Sequence, residues 1–384
     1  MNHQPSALED FCWPISDPFS APQKSRLLVP DDHQLISHCL PKVSTDIPRM
    51  IAGCRSLPEK ILAILSHHRF QMNPVSLIRS DTKCLKDIEF FVGQGRPIDI
   101  MYPLFCVIPS RPKRYSTYVA TAGEECTIRW FGTLNTCVKE VYKPGIIFHI
   151  LVDAALYASA FGTSQVEVAG YWNSLVNIVQ RYGAEDYIDL RDLADVIASD
   201  FLSEYQVSYY EWQHKTFSES LSSLFSEHTL VGMRRSVRSS INTRRFPFSH
   251  NDDLKLFGPI EYRDTNNPYF SMIENLTDVA LKEYICIRFA CDEIHLDECL
   301  WPHALRASCH KGLKNGKYPI GLRPYPEYFG SCKTLPYHGM PKITCTNDIL
   351  RLQVLPEVLL RGDTSLERVE INESGQVWAY IESK

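Results

Sequence analysis

Ile146-Ile147-Phe148-His149-Ile150-Leu151-Val152-Asp153 decides the fold. Seven residues, all apolar except His149, follow the breaker pair Pro144-Gly145 and end on a carboxylate. A short continuous apolar run of that kind reads as a strand buried on both faces, with Asp153 at its carboxyl end. Just upstream, Ile128, Phe131, Leu134, Val138 and Val141 recur at helical intervals between Glu124 and Tyr142. They give that segment one apolar face and predict a helix. Further upstream, Ile98 to Val107 is a second strand-like run, and it leads into the basic loop Ser110-Arg111-Pro112-Lys113-Arg114. Downstream, Val166–Tyr182 and Leu190–Tyr205 read as helices, with a short strand at Ile188. Strand and helix alternate, which predicts an α/β fold: a Rossmann-like mixed sheet covered by helices. Such folds hold ligands in the loops after their strands, so Lys113, Arg114 and Asp153 become candidates.

The flanks are read by the same rules. Pro5, Pro14, Pro18, Pro22, Pro30 and Pro41 punctuate the first fifty residues too often for regular elements, so residues 1–55 are expected to be an extension over the surface. After Ser56-Leu57-Pro58, Ile61, Leu62 and Leu65 fall on one helical face. Glu211–Glu227 is expected to be helical, ahead of the arginine-rich stretch Arg234, Arg235, Arg238, Arg244 and Arg245. That stretch is either a solvated connector or a phosphate-facing lid. A long helix is predicted from Ile273 to Cys291. Near the end of the chain, Arg368–Ile371 and Gln376–Ile381 flank Asn372-Glu373-Ser374-Gly375, a hairpin signal. The expected division is a catalytic α/β unit over 56–345 and a C-terminal hairpin segment over 346–384.

Composition excludes several function classes. With 384 residues, 44% hydrophobic, the chain can bury a substantial core. Its 40 Lys+Arg against 45 Asp+Glu leave a net charge of -5, so no global positive field draws nucleic acid or anionic membrane. The most apolar long stretch, Gly145 to Gly162, is interrupted by His149 and Asp153 and fails as a membrane span. Residues 1–14 lack the basic flank and apolar region of a signal peptide, and the 13 Cys are scattered without a C-x-x-C pair. These features predict a cytoplasmic protein with reduced thiols. No paired ligands at close spacing suggest zinc, and no Gly-rich phosphate loop follows a strand.

The densest chemistry lies between Trp301 and Gly339. Leu305, Ala307 and Cys309 alternate with Arg306, Ser308 and His310, a strand pattern that puts the last three on one face. Such a row can hold an oxyanion and move a proton, because Arg recognises carboxylate or phosphate bidentately and His titrates near neutrality. Cys309 faces the other way from His310, so it belongs to the core rather than to a nucleophile pair. Lys317 and the segment Pro336-Tyr337-His338-Gly339 follow.

Taken in order, these motifs resemble the pyoverdine/dityrosine-biosynthesis family, the isocyanide synthases. The resemblance rests on Arg306-x-Ser308-x-His310 and Pro336-Tyr337-His338-Gly339, on Tyr284 to Asp292, on Gly95-Arg96-Pro97-Ile98 with Pro103-x-Phe105, and on Tyr142-x-Pro144-Gly145 leading to Asp153, Tyr157 and Tyr171. It implies a Rossmann-like core and condensation of the amino group of an amino acid, Tyr or Trp in known members, with the ketone of ribulose 5-phosphate. The ketone carbon ends as the isocyanide carbon. By the same resemblance His310, His338 and Asp153 are the proton-transfer and orienting groups, and Arg306, Ser308, Lys317, Arg288, Lys113 and Arg114 hold substrate anions. No metal or other cofactor is implied. The implied partners are the two small-molecule substrates and a downstream pathway oxygenase, not nucleic acid or membrane. The sequence departs from the family pattern at Cys106-Val107-Ile108-Pro109, at Val152-Asp153-Ala154-Ala155, and at Tyr337, where the family has Trp.

Three other readings stay open on the residues. A divergent member would make an N-formyl or related condensed product. A degenerate one would bind an amino acid or sugar phosphate without turnover. His295-x-Asp297 with His338 and Arg351 copies the order of an Fe(II)/2-oxoglutarate oxygenase site, which would require a jelly roll.

Overall fold

The computed structural model describes residues 23–43, 46–72, 82–105, 114, 116–196, 226–244, 246, 248–257, 263–293, 301–309, 320–326, 338–346, 349–361, 363–373 and 375–382. The strands are β1 (Ser25–Leu27), β2 (Ile98–Pro103), β3 (Ile146–Val152), β4 (Ile188–Asp192), β5 (Leu305–Ser308), β6 (Ile320–Gly321), β7 (Met340–Thr346), β8 (Ile349–Leu355), β9 (Leu366–Glu370) and β10 (Val377–Glu382). The helices are α1 (Asp32–His38), α2 (Ile47–Met50), α3 (Leu57–Leu65), α4 (Thr82–Gln94), α5 (Ala122–Lys139), α6 (Ala158–Phe161), α7 (Gln165–Arg181), α8 (Leu193–Val196), α9 (Glu227–Arg238), α10 (His250–Phe257) and α11 (Phe270–Glu293).

The run that opens the sequence reading is β3, buried along nearly its whole length. It lies second in a five-stranded sheet of order β4-β3-β2-β5-β6. Every pairing in this sheet is parallel, so the Rossmann-like sheet is not itself mixed. The chain starts at β2 in the middle, steps outward through β3 and β4, then returns to the other flank of β2 with β5. That is the doubly wound order, and it creates a switch point between β2 and β5. Mixed pairing is confined to a second sheet, β1-β9-β10-β7-β8, in which the predicted hairpin is β9 and β10.

The parallel sheet has two different faces. Ile98, Ile100 and Tyr102 of β2, Phe148 and Ile150 of β3, and Leu305 and Ala307 of β5 join the main core with Ile128, Phe131, Leu134 and Val138 of α5. Phe131 stacks on Phe148 with ring centroids 4.6 Å apart. Cys309 also belongs to this core, as the alternation predicts. The opposite face has only a small apolar patch, in which Met101, Leu151 and Ala304 pack with Leu193 and Trp301. Asp99, His149, Asp189, Arg306 and Ser308 are polar residues on that face.

Local chemistry sets the element ends. Thr121 caps α5, and Glu124 closes a capping box with it. Gly145, at φ +75°, turns the chain from α5 into β3, where a Cβ would collide with Asn135 and Lys139. Asn135 Oδ1 uses that space to accept the Ile146 amide at 2.9 Å.

Two expectations change. Residues 23–50 are more regular than their prolines suggest, because Pro30 and Pro41 fall on either side of α1 and Pro48 sits in the first turn of α2. Ile36, Cys39 and Met50 are buried there, and β1 pairs with β9. Leu190 lies in β4 rather than starting a helix, and α8 begins at Leu193. The rest of the Leu190–Tyr205 reading, and nearly all of Glu211–Glu227, lies outside the described residues. Among the described residues no helix is long and apolar enough to cross a membrane.

Phe131→Ala should destabilise the protein by about 3–5 kcal/mol. Chemical denaturation checks this, and a loss under about 1 kcal/mol would mean that the stack on Phe148 does not hold α5 to the sheet.

Candidate active site

In a doubly wound sheet the carboxyl ends of the strands open onto a crevice at the switch point. Phe105, two residues beyond β2, has φ +59° and is the only non-glycine residue with positive φ among the described residues. A left-handed aromatic residue costs roughly 1–2 kcal/mol, which the surroundings must offset. Backbone strain of this kind clusters at functional sites. Asp153 follows the end of β3 and is half-buried, and Ser308 ends β5, also half-buried. Phe105, Asp153 and Ser308 therefore share the carboxyl edge of the sheet. Beyond Asp153, Tyr157 packs against Tyr284 of α11 at 5.2 Å. Arg288 lies one turn further along that helix. His310, Lys317 and Lys113 lie outside the described residues.

Arg114 has no exposed surface. Its Nη2 donates to Glu124 at 2.7 Å and to Thr121 Oγ1 at 3.0 Å, and its Nε donates to the Gly339 carbonyl at 2.9 Å. Glu124 also accepts the Tyr171 hydroxyl at 3.0 Å. Burial works against the Arg114 charge, but Glu124 and its neighbours outweigh it and keep the guanidinium pKa raised. Arg114 is thus a strut joining the loop after β2, the start of α5, α7 and the half-buried His338-Gly339 turn before β7. This takes it off the open surface expected of a phosphate ligand.

Three arginines of the arginine-rich stretch are answered internally. Arg234 pairs with Glu274 at 2.6 Å and with Asp278, and Arg238 pairs with Glu274 at 2.8 Å, so α9 is fastened to α11. Arg244 donates to Glu167 at 2.8 Å and to the Thr117 carbonyl at 2.8 Å. These three arginines are clamps, in contrast to both earlier readings of the segment.

Sequence reasoning gave no role to the polar row on the less apolar sheet face. Register aligns Met101 of β2 with Arg306 on one side and His149 on the other, and His149 with Asp189. Two strand spacings separate Arg306 from His149, about 10 Å. His149 Nδ1 lies 2.8 Å from Asp189 and its Nε2 lies 3.2 Å from Asp99, while Trp301 stacks on the ring at 4.8 Å. Burial lowers the His149 pKa, but the two carboxylates override it and the net shift is upward. For Asp189, burial is outweighed by His149 and Arg191, and its pKa falls. The available signal was a lone His in a buried run, with Asp99 on the neighbouring strand.

Arg351, from the oxygenase constellation, is on β8 and exposed, and the parallel sheet covered by helices is not a jelly roll. His295 and Asp297 lie outside the described residues.

Comparison with known proteins bears on these observations. Residues 88–246 match the family model described as pyoverdine/dityrosine biosynthesis protein. That span holds Phe105, Lys113, Arg114 and Asp153, and it ends before Arg288, Arg306, His310 and His338. The crystal structure of the PvcA protein from Pseudomonas aeruginosa has the same fold at a TM-score of 0.60 and 21% identity, covering 85% of this chain and 100% of that one. No curated protein sequence matches.

Two predictions follow from the geometry. Arg114→Met leaves the Glu124 carboxylate buried without its cation and should cost about 3–5 kcal/mol, whereas adding Glu124→Gln should recover part of that loss. Denaturation of the two single variants and the double variant measures the coupling, and strict additivity would contradict the strut. The His149 clamp has a raised folded-state pKa, so its stability contribution is complete below about pH 6.5 and fades as pH rises through the folded value. The stability gap between the parent and His149→Asn should therefore shrink as pH rises above about 6.5, and a constant gap would refute the clamp.

Proposed function

From the match of residues 88–246 to the pyoverdine/dityrosine biosynthesis family model, we propose that this chain is a biosynthetic enzyme of the isonitrile-synthase type. It joins the amino group of an amino acid, Tyr-like or Trp-like, to the ketone carbon of ribulose 5-phosphate. The observation that carries this reading is the strand order. It brings Pro103-x-Phe105, Asp153 and Arg306-x-Ser308, which are far apart in sequence, to the carboxyl half of one parallel sheet beside its switch point.

The chemistry suits these residue types. Addition of the amine to the ketone gives a carbinolamine, and loss of water gives an imine, so protons must be delivered and removed at the reacting carbon. His310 and His338 are assigned that work, with Asp153 as orienting group or base. Arg306 and Ser308 offer charge and a hydroxyl from β5 to an anionic oxygen, and Lys317, Arg288 and Lys113 supply further cations for phosphate and carboxylate. Arg114 is left out of the contacting set and given the task of holding the His338-Gly339 turn.

The test is incubation of the purified chain with ribulose 5-phosphate and each amino acid, followed by mass spectrometry and tetrazine trapping of isocyanide. A trapped product is expected from an aromatic amino acid. His338→Ala should lower kcat about 100-fold or more while unfolding stays cooperative, and Arg306→Ala should act mainly on KM. Parent-like kinetics in both variants would refute the site. Consumption without a trapped product would keep the condensation and refute the isonitrile outcome.

A further inference from the structure

A cleft of about 520 Å³ lies away from the strand ends, between the segment leading into α1 and the helices α5 and α7. Its size falls in the range of small-molecule sites. One wall is apolar, made by Leu28, Val29 and Pro30, and the other carries Arg129 and Arg181 with Tyr182. Two of the lining residues bond to Glu125, which is fully buried and accepts hydrogen bonds from His33 Nδ1 at 2.9 Å, the Tyr182 hydroxyl and also Trp378 Nε1 at 3.1 Å. Three hydrogen-bond donors satisfy this carboxylate, and Arg181 adds a longer ion pair.

Of the two arginines, one positive charge is in excess of that carboxylate. Arg129 is held in place, with Nη1 donating to the His33 carbonyl at 3.2 Å, Nη2 donating to Ser37, and its guanidinium 4.6 Å over the Tyr182 ring. Arg181 has a 42% exposed side chain, and its Nη1 is 3.7 Å from Glu125, beyond hydrogen-bond range. Nη1 also lies 3.1 Å from His33 Nδ1, whose proton is already committed to Glu125. Two guanidinium groups face one buried carboxylate, so the cleft carries net positive charge beside an apolar wall. That pairing suits a ligand with an anionic head and an apolar body.

We propose that this cleft is a second binding site, for a small organic carboxylate whose head is taken by Arg181 and whose body lies on Val29, Pro30 and Tyr182. The site is independent of the proposed reaction, since none of its residues lies on the parallel sheet or at the strand ends. It also has a built-in reporter. Trp378 bonds to Glu125 and meets the His33 ring edge-on at 5.5 Å, so an occupant that moves His33 changes the environment of that indole.

The probes are benzoate, inorganic phosphate and benzyl alcohol, titrated by calorimetry and by tryptophan fluorescence, with Trp378→Phe identifying the signal. Benzoate should bind saturably with a Kd on the order of millimolar, about tenfold more tightly than either phosphate or benzyl alcohol. Arg181→Ala and Val29→Asp should each weaken benzoate about tenfold or more with an unchanged Tm, both side chains being well exposed. Equal binding of phosphate would overturn the apolar part of the proposal, and equal binding of benzyl alcohol the anionic part. No saturable binding, or binding that survives Arg181→Ala, would overturn the site.

Discussion

A guanidinium with no exposed surface needs a carboxylate within hydrogen-bond reach, and Glu124 meets that need for Arg114. The pair does more than neutralise charge. Glu124 also closes the capping box of α5 and accepts from Tyr171 of α7, while Arg114 reaches across to the Gly339 carbonyl. Four stretches thus meet at two side chains: the loop after β2, α5, α7 and the turn before β7. Because α5 covers the sheet and the turn carries His338, the candidate site is held by the same contact that closes the core around it.

The two faces of the parallel sheet divide its work. One is a continuous apolar surface under α5, where Phe148 and Phe131 stack. The other trades apolar burial for a row of charges, in which His149 between Asp99 and Asp189 binds β2, β3 and β4 side to side beneath Trp301. The polar ring of His149 is tolerated in a buried position because carboxylates face both of its nitrogens. Arg306 shares this face and lies two residues from the strand end, so the proposed anion site starts from the clamped row and opens toward the crevice.

Sequence patterning made the parallel sheet legible because both-face burial leaves unbroken apolar runs, as in β3, and because α5 repeats its core positions at helical spacing. The alternation at Leu305 to Cys309 told the buried core face from the half-buried polar face. Contacts between segments distant in sequence were hidden. Nothing local in Arg114 distinguishes a buried strut from a phosphate ligand, since the difference lies in Glu124 and Gly339. Arg234, Arg238 and Arg244 looked like an exposed basic segment because their partners, Glu274 and Glu167, are on other helices. The left-handed Phe105 left no trace either, because its backbone angle is imposed by tertiary packing. The prolines near the start misled for a simpler reason: they mark the ends of short elements as readily as they mark their absence.

The central claim is that this crevice joins an amine to a ketone carbon and releases the remainder of the sugar. Its most direct test uses ribulose 5-phosphate carrying carbon-13 at the ketone position, with the products of an aromatic amino acid followed by NMR. The account predicts that the label moves onto the amino acid nitrogen as an isocyanide carbon and that the released phosphorylated fragment carries none. Label retained in the phosphorylated sugar would contradict it.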